Sequence, residues 1–171
     1  MSEIQSGRRG ALRALAVVGG AAACVVVGVP GLEMLAPPAA NAGGKALWVK
    51  TVRLDSLEDG VPKRVSIIAD AHDAWMVERN KELGAVWLTK EGDAIACFSA
   101  SCPHLGCTVS HEASGGYFCP CHDSSFSAAG AALTGPSPRG LDPLVTKIDD
   151  GYVHVDFRRF RQGTPDRIEI G

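Results

Sequence analysis

The chain lacks the surplus of positive charge that would mark it for nucleic acid. Its 17 lysines and arginines stand against 19 aspartates and glutamates, a net charge of −2. It has no internal repeat, which excludes a solenoid or array. Long helical patterns are scarce. The 20 glycines and 10 prolines found instead point to many turns and an all-β domain. Cysteine is absent from most of the chain: of Cys24, Cys97, Cys102, Cys107, Cys119 and Cys121, four crowd between 102 and 121, interleaved with His104 and His122. That clustering excludes a dispersed disulfide framework and points to a metal site, with room for one disulfide beside it. At 171 residues there is space for about one compact domain and a short extra element.

Charge is also missing from residues 14–32, an uninterrupted apolar run of 19 residues. As a helix it would cover roughly 28 Å, close to the hydrocarbon thickness of a bilayer. Pro30 and Gly31 would end it. Arg8, Arg9 and Arg13 precede it against a single Glu3, which places the N-terminus inside and the remainder outside. "SGRRGALR" resembles a twin-arginine export signal, the route taken by folded, metal-loaded proteins; an ordinary positive flank is the alternative. "ANA" at residues 40–42 resembles a signal-peptidase site, but the run ends well before it, so retention as an anchor is expected. Cys24 is expected to be a small apolar residue within that helix.

Residues 36–44, "APPAANAGG", read as a flexible hinge by composition. From Lys45 the pattern turns to β. "ALWVKTVRL" and "RVSIIA" read as strands. "AWMVERNKELGAVWLTKEGDAIACFS" reads as strands separated by turns at residues 80–84 and 91–93. "GYVHVDF" alternates Tyr152, His154 and Asp156 against Val153, Val155 and Phe157. The expected organisation is a cytoplasmic N-terminus at 1–13, an anchor at 14–35, the hinge, a β domain at 45–157 with its metal-binding part near 97–140, and a tail at 158–171.

Two segments carry the chemistry: "CPHLGC" from Cys102 to Cys107, and "CPCHDSSF" from Cys119 to Phe126. Gly115 and Gly116 between them can reverse the chain, so the two loops can lie side by side at strand tips. A C-x-H loop opposite a C-x-x-H loop supplies two thiolates and two imidazoles. Zinc would accept four such donors, but zinc gives no role to Cys107 and Cys121, which hold equivalent places in the two loops. Six residues for a four-donor site suggest four ligands and a disulfide tying the loops, a bond that an extracytoplasmic location permits.

The segments resemble the two boxes, C-x-H-x-G-C and C-x-C-H, of Rieske iron–sulfur proteins in the form found in cytochrome bc complexes. The resemblance implies an antiparallel Rieske β-sandwich with a small cluster-binding subdomain, preceded by one transmembrane helix. It implies one 2Fe–2S cluster, with Cys102 and Cys119 on one iron and His104 and His122 on the other, and a Cys107–Cys121 disulfide. Gly135, Pro136, Ser137 and Pro138 match the family's proline loop, which covers the cluster's other side. Replacing two anionic thiolates by neutral imidazoles raises the reduction potential, toward the range of ~−150 to +300 mV. A bound imidazole can take up a proton as the centre takes up an electron, which suits a quinol.

The implied function is the iron–sulfur subunit of a quinol:cytochrome c oxidoreductase, an enzyme subunit not catalytic alone. It would sit in the bacterial plasma membrane beside a cytochrome b-type subunit. His122 would hydrogen-bond the quinol and accept its proton, with His104 beside it and Leu105 at the docking surface, and a cytochrome c-type protein would receive the electron. Ser124 would donate to a cluster sulfur. Asp123 and Phe126 stand where high-potential relatives usually carry Gly and Tyr, which favours a lower potential and menaquinol. The alternatives are the small Rieske subunit of another exported redox enzyme, of the arsenite-oxidase kind, an oxygenase-type ferredoxin, and a non-redox zinc module. Among the remaining candidates, His111 is expected in a solvated loop and His72 and His154 on the surface or in strands. Cys97 is expected as a buried thiol. Trp48, Trp75 and Trp87 are expected in the core or on a sheet face. Arg158, Arg159 and Arg161 are expected in an exposed polar end, with a docking patch as the alternative.

Overall fold

Alternation of apolar and polar residues dictates the central strands of the fold. The computed structural model describes residues 46–72 and 75–170, with the backbone alone at residue 72. The signal expected at 1–13, the anchor at 14–35 and the hinge at 36–44 lie outside the described residues. Among the described residues no helix is long and apolar enough to cross a membrane.

Twelve strands follow in order: β1 (Trp48–Arg53), β2 (Lys63–His72), β3 (Val77–Glu91), β4 (Ala94–Ser99), β5 (Ser110–His111), β6 (Tyr117–Cys119), β7 (Ser124–Phe126), β8 (Ala132–Thr134), β9 (Val145–Asp149), β10 (Tyr152–Asp156), β11 (Arg159–Phe160) and β12 (Glu169–Ile170). A single 3-10 turn, Leu54–Ser56, is the one helical element among the described residues. The strands form sheets of order β1-β10-β9, β2-β3-β4 and β5-β6-β7-β8, and the β11-β12 hairpin. Every ladder between named strands is antiparallel.

The first two sheets share one core. Val49, Val153 and Val155 from one, and Val65, Ile67, Val86, Leu88 and Cys97 from the other, are all buried in it. Phe157 joins them, so the apolar residues of "GYVHVDF" keep the 2-residue period, while Asp156 is buried out of phase, bridged to Arg158. A second, smaller core gathers Cys102, Val109, Tyr117, Cys119, Phe126 and Leu141 beneath the four-stranded sheet, with Trp87 and Phe98 packed against it. The fold is thus an all-β sandwich carrying a small subdomain whose core contains two cysteines.

Several expectations give way. The turn expected at residues 80–84 is not a reversal: β3 runs through it, paired with β2 across register shifts at Ile67/Ile68 and Ala69/Ala71. Asn80 takes φ 53° and donates its backbone N–H to Asp70 Oδ1 at 3.0 Å, so asparagine and glycine here make a bulge. The turn expected at 91–93, by contrast, is present as a two-residue hairpin, with Glu91 opposite Ala94 and Gly92 at φ 61°. Trp75 lies outside core and sheet, 96% exposed, between β2 and β3. Residues 158–170 are not a free polar end. They fold back as β11-β12, and Arg158 bridges Asp156 at 2.8 Å and Glu169 at 2.6 Å.

Candidate metal centre

Each box becomes a tight loop because its backbone bonds to itself. In the first, Cys102 donates its N–H to the Cys107 carbonyl at 2.8 Å, and Gly106 donates to the Cys102 carbonyl at 2.9 Å. Gly106 sits at φ 81°, a left-handed conformation that glycine takes without steric cost. The second box spans a hairpin: Cys119 at the end of β6 pairs with Ser124 at the start of β7, leaving residues 120–123 as the loop. Asp123 closes that loop at φ 53°, a conformation that Asp tolerates better than most residues. A disulfide between Cys107 and Cys121 joins the two loops across 14 residues of sequence.

The remaining donors are sorted by burial. Cys102 is 1% exposed, Cys119 is 2% exposed, and both are free thiols. His104 is half-buried and His122 exposed, with ring centroids 4.7 Å apart and planes nearly perpendicular. Cys119 Sγ also lies within 4.8 Å of both disulfide sulfurs, but those are bonded to each other and are not free to ligate. Two enclosed thiols and two mutually adjacent imidazoles, one of each from either loop, form a donor set that fits a 2Fe–2S group. Burial pushes the Cys102 thiol up to about 11, with neighbouring Cys119 adding to the rise; backbone N–H groups of His104 and Leu105 at its sulfur oppose it. A bound metal ion would reverse that balance by holding the sulfur as thiolate. The two N–H groups escaped sequence reading because any residue supplies one; the signal was Gly106, which lets the loop curl around the sulfur.

Ser124 is fully buried, and its Oγ accepts the Ser137 N–H at 3.2 Å, leaving its own proton free to be donated. The Gly135–Pro138 loop lies directly against the second box. Gly135 is at φ 87°, and a Cβ there would meet Ser124 Cα at 2.5 Å and Asp123 O at 2.7 Å. Asp123 is exposed, so its charge is solvated and its effect on the centre is screened. Phe126 is 2% exposed in the same small core as both thiols. Hydrogen-bond donors to sulfur stabilise the reduced state and raise the potential. Redox titration at one pH is therefore expected to place Phe126→Tyr above and Ser124→Ala below the wild type. An unchanged potential in Phe126→Tyr with its visible spectrum intact would mean that the ring only fills space.

The other candidates stand apart. His111 is not in a solvated loop: it pairs with Tyr117 in the β5-β6 ladder. Its ring lies 6.0 Å from Trp87 and 5.6 Å from Tyr117, because Trp87, anchored to the Val109 carbonyl at 3.0 Å, builds a wall beneath it. Cys97 is buried in the other core, where burial pushes its thiol up to about 12. His154 lies in β10, opposite Lys50 and Lys147.

Comparison with known proteins adds three findings. The family model described as the Rieske [2Fe-2S] domain matches residues 47–147. The menaquinol:cytochrome c reductase iron-sulfur subunit of Bacillus subtilis is 30% identical over 132 residues, covering 74% of this chain and 77% of its own. A cytochrome b6-f complex iron-sulfur subunit of a Synechococcus species is 32% identical over 145 residues, covering 81% of each.

Proposed function

The chain belongs to the Rieske [2Fe-2S] family and carries one such cluster, and from that premise we propose that Cys102, His104, Cys119 and His122 hold it, in the electron-transfer subunit of a cytochrome bc-type quinol:cytochrome c oxidoreductase. The observation that carries the proposal is the sorting of donors: two thiols sealed in the small core and two imidazoles brought edge to face at the surface. Bound there, the cluster supplies a one-electron acceptor and donor.

The chain's own residues do the rest. Cys102 and Cys119 anchor the buried side away from water. His122, the exposed one of the pair, presents its ring to a quinol hydroxyl, accepts the hydrogen bond, and takes the proton as the electron arrives; His104 lies beside it. Leu105, 64% exposed in the same loop, offers an apolar contact to the cytochrome b-type subunit that holds the quinol. A cytochrome c-type protein then receives the electron at the same tip. Menaquinol is the favoured donor: Phe126 brings no phenol to the centre, and the Bacillus relative is a menaquinol:cytochrome c reductase subunit by name. The Cys107–Cys121 disulfide fits an oxidising, extracytoplasmic compartment. Residues 14–35 would anchor the domain to the plasma membrane from a cytoplasmic N-terminus, and residues 36–44 would let the head move between its two partners.

Coupled uptake of a proton and an electron is tested by redox titration across pH. The midpoint potential is expected to be level at low pH. It then falls by about 59 mV per pH unit where one proton accompanies one electron. A potential that stays level from neutral to strongly alkaline pH would overturn the role given to the histidines.

A further inference from the structure

The two loops of the metal centre are held from outside by a segment that neither box contains. After Phe157 the chain forms the β11-β12 hairpin, which lies beyond the residues matched by the family model. The hairpin's base is closed by Arg158 between Asp156 and Glu169. Its tip reaches both sides of the centre. Toward the first box, Gly163 donates its N–H to the carbonyl of Pro103 at 2.8 Å, and Pro103 is the residue between Cys102 and His104. Toward the proline loop, the connection runs through Arg139. Its guanidinium is buried, donating to both Asp142 carboxylate oxygens at 2.8 Å and, on its outer side, to the carbonyl oxygens of Arg161 at 3.0 Å and Thr164. The Arg139 carbonyl accepts the Ser137 hydroxyl at 2.8 Å, and the Ser137 N–H in turn donates to Ser124 Oγ.

Only arginine fills this position. Its planar fork offers five N–H donors, enough for a bidentate carboxylate and two carbonyls at once, whereas a lysine ammonium has three and no fixed plane. A buried ion pair is a weak source of net stability. What this one supplies is geometry: it ties a strand-hairpin tip to a loop facing the metal site.

We propose that the C-terminal hairpin is the brace of the metal centre and that Arg139 is its positioning residue, setting both the potential of the cluster and how firmly it is held. The proposal rests on the ligand set given above. The Ser137 N–H polarises the Ser124 hydroxyl and makes its proton a better donor toward the centre. The Gly163–Pro103 bond steadies the loop whose His104 and Leu105 N–H groups lie at the Cys102 sulfur. Both contacts favour the reduced state, so loosening the brace lowers the potential.

The test uses the full-length, cluster-loaded protein. Arg139→Lys keeps the charge and loses the fork. It is expected to lower the midpoint potential and to shorten the half-time of visible absorbance several-fold, with the Cys107–Cys121 bond intact. Val65→Ala, in the other core, is expected to lower the melting temperature without moving the potential. An unchanged potential and half-time in Arg139→Lys, or an equal potential shift in Val65→Ala, would overturn the proposal. A second measurement needs no variant, because coupling is reciprocal. On removal of iron from the wild type, the Gly163 amide is expected to exchange hydrogen several-fold faster while the β10 amides do not; equal acceleration of both would overturn the brace. The ligand set fails by a different sign, survival of colour in His122→Ala, so the two failures are distinguishable.

Discussion

Cys119→Ser and His122→Ala are each expected to yield colourless protein. Each removes one of the four proposed donors, and the sulfurs nearest Cys119, those of Cys107 and Cys121, are bonded to each other. Cys119 is enclosed in the small core, so no water can reach in to substitute. A serine oxygen is a harder and far less acidic donor than a thiolate, poorly matched to iron–sulfur bonding. Loss of His122 leaves His104 without its partner, and two of the other imidazoles, both among the described residues, are committed elsewhere. His111 is wedged against Trp87 and Tyr117, and His154 lies in β10, paired with Lys50 of β1. His111→Ala and Cys97→Ala should therefore keep the full visible spectrum, since Cys97 belongs to the sandwich core. The measurement is visible absorbance per mole of purified protein. Bleaching by His111→Ala together with retained colour in His122→Ala would refute the ligand set. A zinc module would be colourless in the wild type as well, which the family match already argues against.

The two loops and the disulfide between them were legible because their information is local. Two short segments carry the proposed donors, and Gly106 and Gly115-Gly116 are turn residues in the first box and in the link between the boxes. β10 was legible for the same reason: its buried valines alternate with half-buried polar residues up to Asp156, which is buried too. What escaped depends on distant partners. Asn80 and Gly84 carry turn chemistry, yet Asp70, ten residues away, captures the Asn80 N–H and converts the turn into a bulge. His111 sits in a polar, glycine-rich stretch that reads as solvated, and its ring gains its walls from Trp87, far back in the chain, and from Tyr117 across the β5-β6 ladder. The C-terminal arginines read as an exposed basic cluster because Arg158's acidic partners, Asp156 and Glu169, are brought together only by a reversal of the chain. Phe160, partly buried against the sandwich core, was an apolar cue in that stretch, with Ile168 and Ile170 further on.

Cys107→Ser and Cys121→Ser are expected to assemble a cluster and then lose it quickly. Neither residue is a proposed ligand, so the donor set is complete, but the loops carrying Cys102/His104 and Cys119/His122 lose their covalent tie. The bonded cysteines stand 14 positions apart in the sequence. Chain-entropy arguments give ~3 kcal/mol for a loop of about that size. If all of that appeared in the opening of the two loops, the cluster would be lost roughly a hundredfold faster. The remaining ties are few. The Cys102–Cys107 and Gly106–Cys102 backbone bonds and the β6-β7 pairing hold each loop to itself, and without the disulfide the loops are joined to each other only indirectly, through the C-terminal hairpin and the Arg139–Ser137–Ser124 chain. The double variant should therefore decay no faster than either single, because one substitution already abolishes the whole bond. Non-reducing peptide mapping of the wild type should recover Cys107 linked to Cys121. Cys97, buried between the sheets of the sandwich, should be recovered as a free thiol. A linkage from Cys97 to either loop cysteine would refute the pairing, and a wild-type rate of bleaching in both single variants would show that the tie does not hold the centre closed.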